Sequence, residues 1–152
     1  MSKNTIFCLI FMLIGACTFN DPARDNPLDP KWASYKPSFE VVSINPENGS
    51  TITTGTTIEN TFSKPINTTT VTWNATLGAC TGSVHVSNTN FTDCIGASIL
   101  FSPDASKIRI DTTGWTQGAT YYIKLTTDIL ATEGAIPLKQ EYTFSVNTST
   151  GA

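Results

Sequence analysis

The chain has 152 residues, of which 39% are hydrophobic and 14% are charged, and its formal net charge is −3. This length predicts one domain with additional segments, and it allows a core that hides roughly two-thirds of the unfolded surface. The acidic balance argues against a nucleic-acid ligand and against electrostatic docking on anionic lipid, because both need a basic face.

The N-terminal residues have the features of an export signal. Lys3 supplies one positive charge, and the nine residues 6–14 are apolar except for Cys8. A run of this length falls within the roughly 7 to 15 residues of a secretory signal. It falls well short of the roughly 20 residues that a membrane-spanning helix needs. The alternative is that this run forms a buried N-terminal helix of the fold.

The apolar run ends in Ile14, Gly15, Ala16 and Cys17. An aliphatic residue, two small residues and a cysteine resemble the cleavage box of bacterial lipoproteins, and the looser form with Ile resembles that of spirochaetes. By this resemblance, residues 1–16 are the lipoprotein signal peptide, and Cys17 becomes the first residue, with a diacylglycerol on sulfur and an acyl chain such as palmitate on the amine. Two or three such chains hold a protein stably, at about 0.8 kcal/mol per buried CH₂. Ordinary secretion with a free Cys17 thiol is the alternative.

Residues 17–37 are predicted to form a flexible, proline-rich linker. Asp-Pro stands at 21–22 and 29–30, Asn-Pro at 26–27 and Lys-Pro at 36–37. Proline fixes its own φ and moves the preceding residue away from helical conformations, so this segment is expected to be extended. A proline-rich segment rises up to about 3.1 Å per residue, which would lift the following domain tens of ångströms from the membrane.

From residue 38 to 148 the sequence predicts an all-β sandwich, and residues 149–152 are predicted to be a disordered tail. Thr is common, at 26 residues, and its β-branched side chain favours strands. In the run 56–62, Ile58, Asn60 and Phe62 share one face, which is the period of a half-buried strand. About seven short strands separated by turn signals are typical of a sandwich. The predicted strands are 39–44, 56–62, 69–73, 82–87, 97–101, 107–111, 120–126 and 140–147, with one helical turn at 128–132.

The order of several short motifs makes this prediction more specific. The sequence has Asn-Pro-Glu-Asn-Gly at 45–49, Thr-Phe-Ser-Lys-Pro at 61–65, Gly-Ala-Thr-Tyr at 118–121 and Tyr-Thr-Phe-Ser at 142–145. Together they resemble bacterial Ig-like domains of the "big" type over about residues 41–148. The resemblance implies two packed antiparallel sheets, with a turn at 63–65. It also implies that the core includes Phe62, Tyr121 and Phe144.

Four cysteines are present, and two of them remain for the domain. Cys8 is removed with the signal and Cys17 is acylated, so Cys80 and Cys94 are expected to form a disulfide in an oxidising compartment. We interpret residues 80–94 as a disulfide-closed hairpin, and the segment resembles inserts in Ig-like lipoproteins of spirochaetes. Two roles stay open: a recognition surface whose ordering cost is already reduced, or a stabilised edge hairpin without a partner.

The sequence contains no recognisable active site. His85 is the only histidine, it lies in a strand-like run, and no Gly-x-Ser-x-Gly motif is present. One histidine and two disulfide-forming cysteines do not make a zinc site. Calcium sites need clustered carboxylates, whereas the candidates are scattered at Asp93, Asp104, Asp111 and Asp128. We therefore predict no catalytic residue, no metal and no cofactor.

These observations predict a non-enzymatic, lipid-anchored protein of the cell envelope, at the outer membrane, that displays an Ig-like module for binding or adhesion. The expected partners are the membrane, through the lipid, and a host or extracellular-matrix protein; no nucleic acid or small-molecule substrate is expected. The alternative is a periplasm-facing structural or accessory subunit of an envelope complex. A third function, carbohydrate binding, requires an exposed aromatic surface of Trp73, Trp115 and Tyr122. The sequence leaves the ligand-binding residues and the membrane face open.

Mass spectrometry of the mature protein tests the lipoprotein prediction. We expect residues 1–16 to be absent and Cys17 to carry acyl mass. Cys17→Ser is expected to prevent acylation and to release the chain from the membrane fraction, because the thioether cannot form. An unmodified Cys17 in the mature wild-type protein would contradict the prediction.

Overall fold

The computed structural model describes residues 38 to 151. The predicted signal peptide, the acylated Cys17 and the linker 17–37 lie outside these residues and stay predictions. The described part of the chain is all-β, as predicted, and no helix within it is long and apolar enough to cross a bilayer. Its elements are β1 (Val41–Asn45), β2 (Thr51–Ile52), β3 (Thr57–Phe62), a short 3₁₀ helix (Thr68–Thr70), β4 (Val84–Ser87), β5 (Ser98–Phe101), β6 (Lys107–Asp111), β7 (Thr120–Leu125) and β8 (Tyr142–Thr148).

The strands form two four-stranded sheets. The first has the order β1-β3-β6-β5, and all of its pairs are antiparallel. The second has the order β2-β8-β7-β4, in which β2 and β8 are parallel and the other pairs are antiparallel. In the first sheet Ile58 pairs with Ile110, which pairs on its other side with Ile99. In the second, Ile123 pairs with Phe144. Apolar cross-strand pairs of this kind stabilise each sheet.

The inward faces of the two sheets build one hydrophobic core. Buried and partly exposed residues alternate along β3, β6 and β7, because successive side chains of a strand point to opposite faces. Phe62, Tyr121 and Phe144 are buried in this core, which confirms the expectation. Burial of a large apolar side chain contributes roughly 1.5–3 kcal/mol, so the paired inward faces supply most of the stabilisation.

The outward face of the first sheet carries a cluster of charges. The Glu59 carboxylate accepts hydrogen bonds from Lys107 Nζ at 3.0 Å and from Arg109 Nε at 2.7 Å. These hydrogen bonds, that of Lys107 first, lower the pKa of Glu59. All three side chains are partly exposed, so the ion pairs add little to the stability of the fold. Their main effect is to give the outward face of the first sheet a charged, solvated surface.

The strand predicted at residues 69–73 is wrong. The chain there forms the 3₁₀ helix Thr68–Thr70, and Trp73 makes only an isolated bridge with Val84. The Asn67 side chain accepts hydrogen bonds from the backbone N–H and the hydroxyl of Thr69. Asparagine and threonine side chains that bond their own backbone compete with a strand ladder, and here the local bonds are the ones formed.

Several other elements and boundaries differ from the prediction. The strand β2 was not expected, since it has two residues and pairs with the distant β8. The expected helical turn at 128–132 is instead a pair of tight turns around the bridge of Leu130 with Pro137. The first strand begins at Val41 rather than Phe39. Beyond β8, the Ser149 N–H donates to the Ile52 carbonyl at 2.7 Å.

One core position is polar. Asn60 is fully buried on the inward face of β3. Its Nδ2 donates to the Ile108 carbonyl at 3.5 Å, and among the described residues its Oδ1 has no hydrogen-bond partner. A buried acceptor without a partner costs roughly 1–3 kcal/mol, because its bonds to water are lost on folding.

Asn60→Leu is therefore expected to raise the free energy of unfolding by about 1 kcal/mol, because a side chain of similar shape removes the unpaired acceptor. Urea unfolding of both proteins measures the difference. The matched control is Asn147→Leu, since Asn147 accepts from the Thr120 hydroxyl and donates to the Gly49 carbonyl. The control should lose stability. If Asn60→Leu lowered the free energy of unfolding as much as Asn147→Leu does, the interpretation of Asn60 Oδ1 as an unpaired acceptor would be contradicted.

Candidate functional site

The predicted disulfide between Cys80 and Cys94 is present, with the two Cα atoms 4.7 Å apart. Cys94 is fully buried, and its backbone exchanges two hydrogen bonds with Gly78, at 3.0 and 2.7 Å. We call residues 80–94 the disulfide loop. The cross-link and the adjacent backbone bridge hold both ends of this loop against the domain.

The disulfide loop does not form a hairpin of its own, as residues 80–94 were predicted to do. It contains β4, which pairs with β7 as an edge strand of the second sheet. Val84 and Val86 lie in the core, and only the intervening His85 points outward. The residues with alternating polarity do form a strand, as predicted, but the apolar face of this strand is buried against the rest of the domain. The apolar side of the loop therefore belongs to the domain's own core, and its longest exposed stretch is its last part.

That last part, residues 88–93, folds into a compact turn around Ser87. The buried Ser87 hydroxyl accepts from the N–H groups of Thr89 and Phe91, at 3.1 and 2.9 Å, and donates to the Asp93 carbonyl at 2.6 Å. Asn90 and Phe91 have φ values of 53° and 66°. Such conformations cost on the order of 1–3 kcal/mol for residues other than glycine, so the surrounding bonds must impose them.

The turn places Phe91 on the outward face of β4 and β7. Its ring centroid lies 6.2 Å from that of Tyr122 and 6.4 Å from that of His85. Lys124 Nζ stands 5.0 Å from the centre of the Phe91 ring, which is a cation–π contact. We call His85, Phe91, Tyr122 and Lys124 the Phe91 patch. It combines apolar area with the Lys124 ammonium group, which also lies 3.8 Å from Glu141 Oε2.

A cleft of about 480 Å³ opens beside the disulfide loop. Trp115 and Tyr121 line it, stacked with ring centroids 4.0 Å apart, and Tyr121 Oη accepts from the Thr116 N–H at 2.8 Å. Asp111 also lines it, and hydrogen bonds from the hydroxyl and the N–H of Thr113 lower the pKa of its carboxyl group. The cleft therefore offers an ionised carboxylate at its rim. Asn88, the first residue of the turn, also lines the cleft, as do Ile95, Gly96, Ala97 and Ser98 of the segment after the turn.

The aromatic surface expected for carbohydrate binding does not form. Trp115 is only 8% exposed, and Trp73 packs against the core. Tyr122 does face outward, but its aromatic neighbour is Phe91. The three aromatic residues therefore lie in different environments: Trp115 is buried, Trp73 is partly buried against the core, and Tyr122 is on the outward face of β7.

Three of the four scattered aspartates serve local turns. Asp104 accepts from the hydroxyls of Ser102 and Ser106 and from the Ser106 N–H, and these bonds lower its pKa to about 2. Asp111 bonds Thr113 in the same way, and Asp128 accepts from the Thr126 hydroxyl at 3.3 Å. These carboxylates stabilise the ends of strands rather than converging on one point.

His85, the single histidine, also has a local partner. Its Nε2 lies 3.0 Å from the Gly82 carbonyl oxygen. A carbonyl only accepts, so this nitrogen carries the proton. The sequence analysis did not identify Phe91, Lys124 or the cleft as parts of a site. The sequence did offer one signal, since Phe91 is an aromatic residue among polar ones inside the disulfide loop. Its contacts with Tyr122 and Lys124 arise only from the pairing of β4 with β7.

Comparison with known proteins identifies relatives of the domain. The model of a family described as "Bacterial Ig-like domain" matches residues 36–148. Among solved structures, the chain resembles PcoC, a methionine-rich copper resistance protein from Escherichia coli, with a TM-score of 0.52 and 13% identity, over 74% of this chain and 99% of that one. It also resembles the N-terminal part of the bacterial S-layer protein SbsC, with a TM-score of 0.50 and 14% identity, over 80% of this chain and 25% of that one.

A longer piece of an S-layer protein, rSbsC, matches with a TM-score of 0.49 and 13% identity, over 76% of this chain. The match spans only 14% of that longer chain. No curated protein matches the sequence. At their identities of 13% and 14%, the similarities to PcoC and to the N-terminal part of SbsC show the fold alone and leave the function open.

Cys80→Ala is expected to lower the free energy of unfolding by about 3 kcal/mol, because the cross-link restricts a loop of about 15 residues in the unfolded chain. Urea unfolding of oxidised wild type and variant measures this difference. With both proteins reduced, the difference should largely vanish, which separates the cross-link from packing at Cys80. Equal stability of the oxidised proteins would contradict a structural role for the disulfide.

Proposed function

The chain belongs to the bacterial Ig-like domain family, and from that premise we propose that it is a non-enzymatic envelope protein that presents this domain as a binding or adhesion module on a lipid anchor. The fold alone does not select this function, since a copper resistance protein and an S-layer protein share it. The observation that carries the proposal is the Phe91 patch, an aromatic surface on the outward face of β4 and β7.

The patch has the chemistry of a protein-binding surface. Tyrosine and phenylalanine provide large contact area with few rotatable bonds, and aromatic residues are enriched where binding energy concentrates. The turn that carries Phe91 is already ordered by Ser87 and by the disulfide. Binding therefore pays little additional ordering entropy at this point. The partner we propose is a host or extracellular-matrix protein.

The non-enzymatic part of the proposal rests on the surroundings of His85. Within residues 38–151 its hydrogen bond is to a backbone carbonyl, not to a carboxylate or a hydroxyl. A nucleophile needs a base within hydrogen-bond reach and a third group that orients the base. Three of the four aspartates that were considered, Asp104, Asp111 and Asp128, are used in turns.

The lipid anchor is proposed from the sequence around Cys17. Acyl chains on this residue would hold the protein at the envelope membrane, and the proline-rich residues 18–37 would separate the domain from the bilayer. Outer-membrane placement follows the same resemblance to bacterial lipoproteins.

One observation favours the alternative, a periplasm-facing accessory subunit. Val42 and Leu100 are exposed by 63% and 61%, and they lie on the two edge strands of the first sheet, β1 and β5. Exposed apolar residues on sheet edges are suited to contact another subunit. The two functions place the domain on opposite sides of the outer membrane, which makes the side the discriminating measurement.

Protease treatment of intact cells is expected to degrade the domain while a periplasmic control protein survives. The linker 18–37 is the expected cleavage region, because proline-rich extended chain is accessible. Survival of the domain together with the control would contradict display on the outer surface and would favour the accessory-subunit function.

A pair of substitutions tests the surface itself. Phe91→Ala and Tyr122→Ala are expected to weaken adhesion to a layer of extracellular-matrix proteins by about 2 kcal/mol of binding free energy, as aromatic hot spots do. Leu77→Ala is the matched control, since Leu77 is 72% exposed and lies outside the patch. Equal adhesion of all variants and wild type would contradict binding through the Phe91 patch.

A further inference from the structure

Two sulfur atoms and one imidazole ring lie together at the edge of the Phe91 patch. The Sγ atoms of Cys80 and Cys94 and a ring nitrogen of His85 are all within 4.8 Å of one another. Cys94 is buried, whereas Cys80 and His85 are partly exposed. These atoms are brought together by β4, which carries His85 outward between the two ends of the disulfide loop.

The hydrogen bond of His85 leaves one ring nitrogen available as a ligand. Because Nε2 donates to the Gly82 carbonyl at 3.0 Å, the lone pair of the neutral ring is on Nδ1. Histidines that bind metals commonly donate their other ring N–H to a backbone carbonyl in this way, which fixes tautomer and orientation. The carbonyl is itself held in place: Gly82 has a φ of +87°, and a Cβ there would lie 2.6 Å from the Thr72 carbonyl oxygen.

We propose that reduction of the Cys80–Cys94 disulfide turns this cluster into a binding site for a thiophilic cation, Zn²⁺ or Cu⁺, with two thiolates and the His85 imidazole as ligands. In the oxidised chain the sulfurs are neutral and bonded to each other, so the site is closed. The inference goes beyond partner binding by the Phe91 patch and does not depend on it.

The ligand set selects the class of ion. Thiolate sulfur and imidazole nitrogen suit zinc and cuprous copper, whereas calcium and magnesium require oxygen ligands. Zinc binds sulfur at about 2.3 Å and nitrogen at about 2.0–2.1 Å. Ligand atoms around one ion are then roughly 3.3–3.8 Å apart. Once the disulfide bond is broken, the two sulfurs must separate by roughly 1.7 Å, and the imidazole must approach by about 1 Å. The Cys80 and His85 side chains are partly exposed and have room for these movements, and the fourth zinc position is left for solvent.

The chemical steps balance with a phosphine as the reductant. The phosphine takes oxygen from water and becomes a phosphine oxide, while the disulfide gains two electrons and two protons and becomes two thiols. Binding of a divalent ion then forms two metal–sulfur bonds and releases the two thiol protons. A neutral ring nitrogen completes the set without a further proton.

Cobalt absorption of the reduced protein tests the proposal. The full chain is reduced with phosphine, freed of reductant without oxygen and titrated with Co²⁺ as a spectroscopic substitute for Zn²⁺. We expect one equivalent to bind, with near-ultraviolet thiolate-to-cobalt charge transfer, and Zn²⁺ to abolish the signal. The oxidised chain should show neither Co²⁺ binding nor the charge-transfer absorption. Absence of the signal in the reduced chain, folded or not, overturns the proposal.

Three variants identify the ligands. His85→Phe is expected to weaken Co²⁺ binding at least about tenfold, whereas Leu100→Ala, an exposed position on β5 of the other sheet, should leave Co²⁺ binding unchanged. The double variant Cys80→Ser/Cys94→Ser should lose the signal, and it shows whether Cys8 or Cys17 contributes. Zn²⁺ should also slow alkylation of both thiols in reduced wild type, but less so in His85→Phe. If His85→Phe bound Co²⁺ as tightly as wild type and its thiols were protected from alkylation equally well, His85 would not be a ligand and the assigned site would be wrong.

Discussion

The alternation of side chains along each strand is the constraint on which both the core and the surface depend. Because neighbouring residues point to opposite faces, β4 buries Val84 and Val86 and in the same register presents His85 outward. A shift by one residue would move the apolar pair to solvent and the histidine into the core. The burial that closes the sandwich therefore also determines what the disulfide loop can offer to a partner.

The surface features are held by polar contacts that the core does not supply. A single buried hydroxyl, that of Ser87, organises the turn in which Asn90 and Phe91 adopt positive φ. The disulfide and the bridge of Gly78 with Cys94 prevent this turn from moving away from the sheet. Strain in the turn is thus balanced by its surroundings, which keeps Phe91 over Tyr122 and Lys124 as a preorganised surface.

Most of the strands were predictable, and the failures have a common cause. The segments 56–62 and 107–111 have clear two-residue periods, and the structure has strands there. The strand predicted at 69–73 fails because Asn67 and the following threonines satisfy one another locally. The two-residue β2 has too little sequence to show a period, and it exists through its pairing with β8. Propensity describes neighbours in the chain, whereas these outcomes depend on competing or distant partners.

The sequence by itself determined the all-β fold class, the family of the domain and the pairing of Cys80 with Cys94. The alternation of apolar and polar residues, the order of short motifs and the spacing of two cysteines are all properties of the linear chain. Only the tertiary structure decided that the disulfide loop encloses a core strand and that Phe91 meets Tyr122 and Lys124. Those residues are more than 30 positions apart in the chain. The pairing of β4 with β7 brings them together, and burial of two sheet faces sets that register.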